Sequence, residues 1–315
     1  MKTLIIAFVV LVLASAGFYF LTQYETEPVD TPDLTQDPTD TTPSELNPDV
    51  SVPTPDEPIT TDEPTDTLPS ETVLGTSANG NTITAYHYGT GDQDVLLIGG
   101  IHGGYSFNTA LLGWELVDYF SENPSAIPAD VRVTVIPILN PDGLAEVTGT
   151  TGRFTSADLP SNRAETIPGR FNGNEVDLNR NFDCEWQAEG VWQDRAVSGG
   201  SAPFSEPETA AVRDFVQTLQ PVAVVTYYSS AGGVYSSSCN NGVSAPTLAL
   251  TNTYADAAGY ESYESFDFYE ITGDMVNWLA KEGYPAISVL LTDHENTEWS
   301  KNKAGVDAVL AQYAE

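Results

Sequence analysis

Four short apolar runs constrain this chain more than any other feature. Asp94-Val-Leu-Leu-Ile-Gly99, Val131–Ile138, Val222–Tyr227 and Ala286–Leu291 are each bounded by polar or turn-forming residues. Runs of this length with little polar alternation read as strands buried on both faces. Between and after them lie segments with helical patterning: Asn108–Phe120, Thr209–Leu219, Asp274–Lys281 and Glu298–Tyr313. In the first of these, Leu111, Leu112, Leu116 and Val117 point inward. Ser205 and Glu208 have the spacing of a capping box ahead of the second. Strands that alternate with helices imply an α/β fold, a mostly parallel mixed β-sheet flanked by helices. Val73–Tyr88 adds a hairpin signal, alternating about Asn79-Gly80. His102 falls just past the end of the first run, where open α/β sheets place their sites.

The chain reads in three parts. Residues 1–21 carry Lys2 and then an unbroken apolar run from Leu4 to Leu21. Eighteen helical residues span roughly 27 Å, about the thickness of a bilayer core. Ala14-Ser15-Ala16 offers a signal-peptidase site, but Gly17–Leu21 continues apolar. An uncleaved signal anchor is therefore favoured, with a cleaved signal peptide as the alternative. Lys2 on one side and acids on the other put the N-terminus in the cytoplasm and the remainder outside. The expectation is a single-pass membrane protein with an extracytoplasmic domain, or a secreted one if the segment is cleaved. Residues 22–72 are rich in Thr, Pro, Asp and Glu and have no Lys or Arg. Such a stretch cannot bury enough apolar surface to offset its ordering entropy, and reads as a disordered acidic linker. Residues 73–315 have the length of one domain.

The formal charge is −34, from 11 Lys plus Arg against 45 Asp plus Glu. Lys2 and the fourteen acids of 22–72 account for −13, which leaves −21 on residues 73–315. This excess disfavours nucleic acid as a partner, because that binding depends on cationic contacts. Cys184 and Cys239 are the only cysteines. An extracytoplasmic domain meets oxidising conditions, so a disulfide is expected, with two buried thiols as the alternative. His87 lies in the alternating run Thr84–Tyr88 and reads as a residue that packs or faces solvent.

In so acidic a chain, two arginines within Arg170-Phe-Asn-Gly-Asn-Glu-Val-Asp177-Leu-Asn179-Arg180-Asn181-Phe182 stand out. A guanidinium presents a planar fork that matches a carboxylate, and the adjacent amide can add a further bond. The stretch resembles the substrate-anchoring segment of the zinc carboxypeptidases, the carboxypeptidase A-like family also called funnelins. Other segments agree in order. Gly99-Gly-Ile-His102-Gly-Gly104 is similar to the loop of the first zinc ligand, and Asn140-Pro-Asp-Gly143 to a turn of the family. Pro203–Thr209 resembles a helix entry. Val225–Ser229 stands where the second zinc histidine is expected. Tyr269–Gly273 resembles the mobile substrate tyrosine and its glycine, and Pro285–Leu291 the strand of the catalytic glutamate.

The resemblance implies a site with two sets of positions. At the chemical positions, His102 matches the first metal ligand. Tyr105 stands at the glutamate ligand, with Ser106 one place later. Tyr228 stands at the second histidine and Leu290 at the general base. At the substrate positions, Arg170 matches the carbonyl-polarising arginine. Asn179 and Arg180 match the pair that grips a terminal carboxylate, Tyr269 the tyrosine that closes over it, and Val276 the pocket floor. The family chemistry needs two His and one carboxylate on zinc, plus a glutamate base. The expectation is therefore no cofactor, unless zinc sits in a rearranged set of His102, His294 and a carboxylate. Three functions follow from these positions. The favoured one is a catalytically defective domain that binds the C-termini of peptides or cell-wall stem peptides. The alternatives are an active zinc carboxypeptidase with a rearranged site, and a structural domain without a ligand.

Overall fold

A computed structural model of the chain describes residues 70–314. The apolar segment 4–21 and the linker up to residue 69 lie outside the described residues. No helix among the described residues is long and apolar enough to cross a membrane.

Among the described residues, ten strands and six α-helices follow in chain order. They begin with β1 (Glu71–Thr76), β2 (Thr82–Tyr88), β3 (Gln93–Ile98), α1 (Phe107–Glu122), β4 (Val131–Ile136) and α2 (Pro141–Thr148). The small hairpin β5 (Glu189–Trp192) and β6 (Arg195–Ser198) comes next, then α3 (Pro207–Leu219), β7 (Ala223–Ser229) and β8 (Gly233–Ser236). The chain closes with α4 (Ala245–Ala258), β9 (Ser262–Tyr263), α5 (Met275–Lys281), β10 (Ala286–Leu291) and α6 (Trp299–Gln312). Eight strands form one sheet in the order β1-β2-β4-β3-β7-β10-β8-β9. The central β4, β3, β7 and β10 are mutually parallel; β1, β2 and β8 pair antiparallel with their neighbours toward the centre.

The period-2 alternation of strand side chains divides the core into two layers. Val95, Leu97, Val133, Val225 and Val289 face Leu112, Leu116 and Phe120 of α1, Leu250 and Tyr254 of α4, and Val306 and Val309 of α6. Leu96, Ile98, Val224, Ala286 and Leu290 face Val212 and Val216 of α3 and Met275, Trp278 and Leu279 of α5. The central strands are buried on both faces, which is why their sequences lack polar alternation.

The predicted strands and helices are present, with shifted ends. β1 starts at Glu71, inside the range read as linker. Leu111 is only partly buried and packs in a satellite cluster with Phe107 and Leu144. The Ser205–Glu208 capping box does not form. Ser205 Oγ donates to Glu206 instead, and Glu208 accepts from the backbone N of Ala78 at 3.0 Å and from Asn172 at 3.1 Å. Asn181 Oδ1 takes over the helix entry, accepting from Glu206 N and Thr209 Oγ1. Long-range partners thus outcompete the local reciprocal bond. His87 is buried between the hydroxyls of Thr72 and Thr134, each 2.9 Å from a ring nitrogen.

Cys184 and Cys239 form a disulfide across 55 residues of sequence. It ties the arginine-bearing stretch to the segment that follows β8. Closing a loop of this length stabilises the fold by about 4 kcal/mol in the chain-entropy account, and by about 2–4 kcal/mol in most measured cases. Replacing both cysteines by serine is expected to lower the unfolding free energy by about 2–4 kcal/mol. Urea denaturation checks this, and reductant should move the native midpoint toward that of the variant.

Candidate functional site

The sheet reverses its strand order between β3 and β7, since β3 has β4 on one side and β7 on the other. Loops diverge at such a point and leave a crevice beyond the strand ends. A cleft of about 850 Å³ opens there. His102 enters from the turn after β3, Tyr228 from the end of β7 and Leu290 from the end of β10. Tyr228 and Leu290 are register partners on adjacent parallel strands.

The stretch 170–182 supplies the floor. Asp177 sits at its centre, fully buried. Asp177 Oδ1 accepts from the backbone N of Asn179 at 3.1 Å, which bends the chain into the short 3₁₀ turn Leu178–Arg180. Its outer backbone pairs with Ser198 of β6 on one side. On the other side, Phe182 and Cys184 pair with Gly273. Gly273 has φ +63° and lies flat against the backbone of Arg180, so any side chain there would collide with that carbonyl.

Asp177 also organises the polar side chains. Oδ2 accepts from Arg170 Nε at 2.8 Å and lies 2.7 Å from Arg170 Nη2; Oδ1 lies 3.1 Å from His102 Nε2. Burial alone would raise the Asp177 carboxyl, but Arg170 and His102 outweigh it and hold it well below the usual carboxylate range. Burial, reinforced by Arg170, pushes His102 down to about 4 against the pull of Asp177. At neutral pH the imidazole is uncharged and donates Nε2–H to Asp177. Its other nitrogen, Nδ1, lies 3.5 Å from Arg170 Nη1. The Arg170 guanidinium also stacks on Trp192, 4.4 Å from the ring centroid.

The predicted site residues come together, though with different assignments of their bonds. Arg170, Asn179, Arg180, Tyr269 and Val276 all line the cleft, as do Tyr105 and His294. Asn179 is already committed. Its Nδ2 donates to Asp274 Oδ2 at 2.8 Å, and its Oδ1 accepts from the Tyr228 hydroxyl at 3.1 Å and Met275 N at 3.2 Å. Arg180 is 1% exposed. Its Nε and Nη2 donate to the carbonyl of Val191 at 3.1 and 2.7 Å, and its Nη1 to that of Asn179 at 2.6 Å. Among the described residues no carboxylate pairs with it. Tyr269 is partly buried, with its ring centroid 6.0 Å from the Arg180 guanidinium carbon.

Four residues that contribute were not assigned a role from sequence. Asp177 is inside the motif, but its function as a hub shows only once His102 and Arg170 converge on it. Trp192 and Val191 belong to a hairpin of two four-residue strands, too short to leave a pattern. Asp274 precedes α5, accepts Asn277 N as its N-cap, and holds Asn179. Burial raises its carboxyl above the ordinary carboxylate value.

The chain belongs to the zinc carboxypeptidase family, whose model matches residues 65–300. It is 31% identical over 126 residues to carboxypeptidase O of Bos taurus, a match covering 38% of this chain and 32% of that protein. It is 30% identical over 156 residues to bacteriocin BCN5 of Clostridium perfringens, covering 47% of this chain and 15% of the other. The chain thus matches less than a third of the length of either relative. Two solved structures share the fold. Murein-tripeptide amidase MpaA from Escherichia coli O157 has a TM-score of 0.53 at 20% identity, over 79% of this chain and 94% of that one. Carboxypeptidase A from Helicoverpa armigera has a TM-score of 0.59 at 18% identity, over 78% and 69%.

The residues present do not fit the family's zinc ion. Tyrosines, Tyr105 and Tyr228, stand at two of the three ligand positions. Burial raises the Tyr228 phenol well above its ordinary value, and its proton is given to Asn179. A phenol must lose that proton to bind zinc. The Tyr105 ring packs edge-on against Trp192 and His294, each 4.9 Å between centroids. His102 Nδ1, the nitrogen not held by Asp177, faces the Arg170 cation. The rearranged set is not assembled either: among the described residues, no three His, Cys, Asp or Glu side chains are grouped to hold a metal ion.

Removing the charge of Asp177 should strand Arg170 in a buried setting. Asp177→Asn is expected to cost about 3–5 kcal/mol of stability, the range for breaking a buried pair. Tyr228→Phe removes one of two donors to Asn179 Oδ1 and should cost only about 1 kcal/mol. Urea unfolding of both variants checks the ordering. The Asp177 contribution should be intact above its unfolded value of 3.8 and lost as pH falls below it, because the folded value is depressed.

Proposed function

We propose that this protein binds the C-terminal carboxylate of peptides, including cell-wall stem peptides, and does not hydrolyse them. One observation carries this reading: Arg180 is a buried cation on the cleft floor without an anionic partner among the described residues. A guanidinium has five N–H donors. Three are spent on two backbone carbonyls, leaving two for a ligand. A buried charge is costly unless paired, and seven of the ten cations of the domain do have carboxylate partners. A ligand carboxylate would complete Arg180.

Within this reading the two former grip residues divide their work. Arg180 contacts the ligand. Asn179 is a positioning residue, locked by Asp274, Tyr228 and Met275, that shapes the turn from which Arg180 projects. Arg170 is paired with Asp177, and Tyr269 lies beside Arg180. The position of the family's general base holds Leu290, which cannot accept a proton. Murein-tripeptide amidase among the structural neighbours supports a cell-wall peptide as one ligand source. The Cys184–Cys239 disulfide supports an oxidising compartment. If residues 4–21 act as the anchor expected from the sequence, the domain would stand outside the membrane.

Calorimetric titration with N-acetyl-Ala-Ala and with its C-terminal amide tests the reading without altering the protein. The acid is expected to bind and the amide to bind at least about tenfold more weakly, the worth of a charge-assisted bond. Arg180→Ala should weaken the acid by about 10- to 100-fold and leave the amide unchanged. Equal affinity for acid and amide, or release of alanine from the acid by the native protein, would overturn the proposal.

A further inference from the structure

His294 reaches the cleft from the segment after β10. Its hydrogen bonds are fixed by a buried neighbour. Asn108, fully buried on α1, donates both protons of Nδ2 to carbonyls, Asp293 O at 2.9 Å and Asn296 O at 3.0 Å. Carbonyls only accept, so this amide has one orientation and its Oδ1 must receive a proton. Ser229 Oγ, at 3.1 Å, gives it. A serine hydroxyl has a single proton, so the same oxygen is an acceptor toward His294 Nδ1 at 2.9 Å. The proton on the neutral ring is therefore on Nδ1, and Nε2 is a bare lone pair. That nitrogen has no partner among the described residues and is not sealed from solvent; the ring lines the cleft. Tyr105, packed edge-on against the ring, holds its plane.

We propose that His294 Nε2 is a second recognition point of the cleft, accepting a hydrogen bond from a backbone N–H of the bound peptide. This rests on the carboxylate-binding reading above. Arg180 and Arg170 offer only donors, which suit any carboxylate. A fixed acceptor in the same cleft selects a carboxylate with an N–H close by. A peptide terminus has one; a simple carboxylic acid does not. Ser229 and Asn108 are positioning residues in this arrangement, since they set which nitrogen carries the proton.

The test uses the full chain and three probes: N-acetyl-Ala-Ala and its two ester analogues, each with one backbone N–H replaced by oxygen. One ester is expected to bind the native protein about tenfold more weakly than the peptide. That penalty should vanish in His294→Phe, which keeps the ring against Tyr105 and removes the acceptor. Nitrogen-15 spectra should show Nδ1 protonated and Nε2 bare in the free protein, with the Nε2 resonance moving when N-acetyl-Ala-Ala is added. Absence of an ester penalty, a penalty that persists in His294→Phe, or a proton on Nε2 would overturn the inference. Binding that is lost in Arg180→Ala but indifferent to both esters would overturn this inference alone. Binding independent of Arg180 would overturn the carboxylate reading with it.

Discussion

The cleft depends on one buried carboxylate. Asp177 accepts from Arg170, from a ring nitrogen of His102 and from the backbone of Asn179. An isolated carboxylate at that depth would be far too costly to keep charged, and the nearby cations and N–H groups are what make the charge tolerable. Because Arg170 and Asn179 lie in its own stretch and His102 in the turn after β3, the interaction fixes that stretch against the turn. It points His102 Nδ1 at Arg170 and bends the turn from which Arg180 projects. The disulfide and the contacts with Gly273 hold the far end of the same stretch.

The result is a floor that carries two buried guanidinium groups in a strongly negative protein. Family position alone would have Arg170, Asn179 and Arg180 all facing a substrate. The hydrogen bonds separate them. Asn179 gives one amide proton to Asp274 and has its oxygen filled, Arg170 is paired with Asp177, and Arg180 of the three is the cation with free donors and no direct carboxylate partner among the described residues. The aromatic residues serve the same arrangement: Trp192 covers the Arg170 guanidinium, while Tyr105 packs against both Trp192 and His294. At the three metal-ligand positions the chain presents His102, Tyr105 and Tyr228, and the Arg170 guanidinium faces the free nitrogen of His102.

Much of the fold was legible because the central strands are buried on both faces. Residues 94–98, 131–136, 223–227 and 286–291 have no solvent side to break their apolar runs. The β5–β6 hairpin, β8 and α4 were not legible, since their burial is set by distant neighbours. The capping box at Ser205–Glu208 was a sound local pattern that lost to tertiary partners at Asn181, Ala78 and Asn172. In the site, ordered motifs brought His102, Arg170, Arg180, Tyr228, Tyr269 and Leu290 into one cleft. Which donor meets which acceptor was hidden, because the decisive partners are far apart in sequence. Asp274 and Asn179 are 95 residues apart, and Asn108 and Asp293 are 185 apart.

We propose that this cleft holds no metal and binds carboxylates through Arg180. The most direct measurement is the zinc content of the purified protein, by elemental analysis after equilibration with zinc and removal of loosely held ions. A content far below one ion per chain is the predicted result. About one zinc per chain, lost on replacing His102, would contradict it.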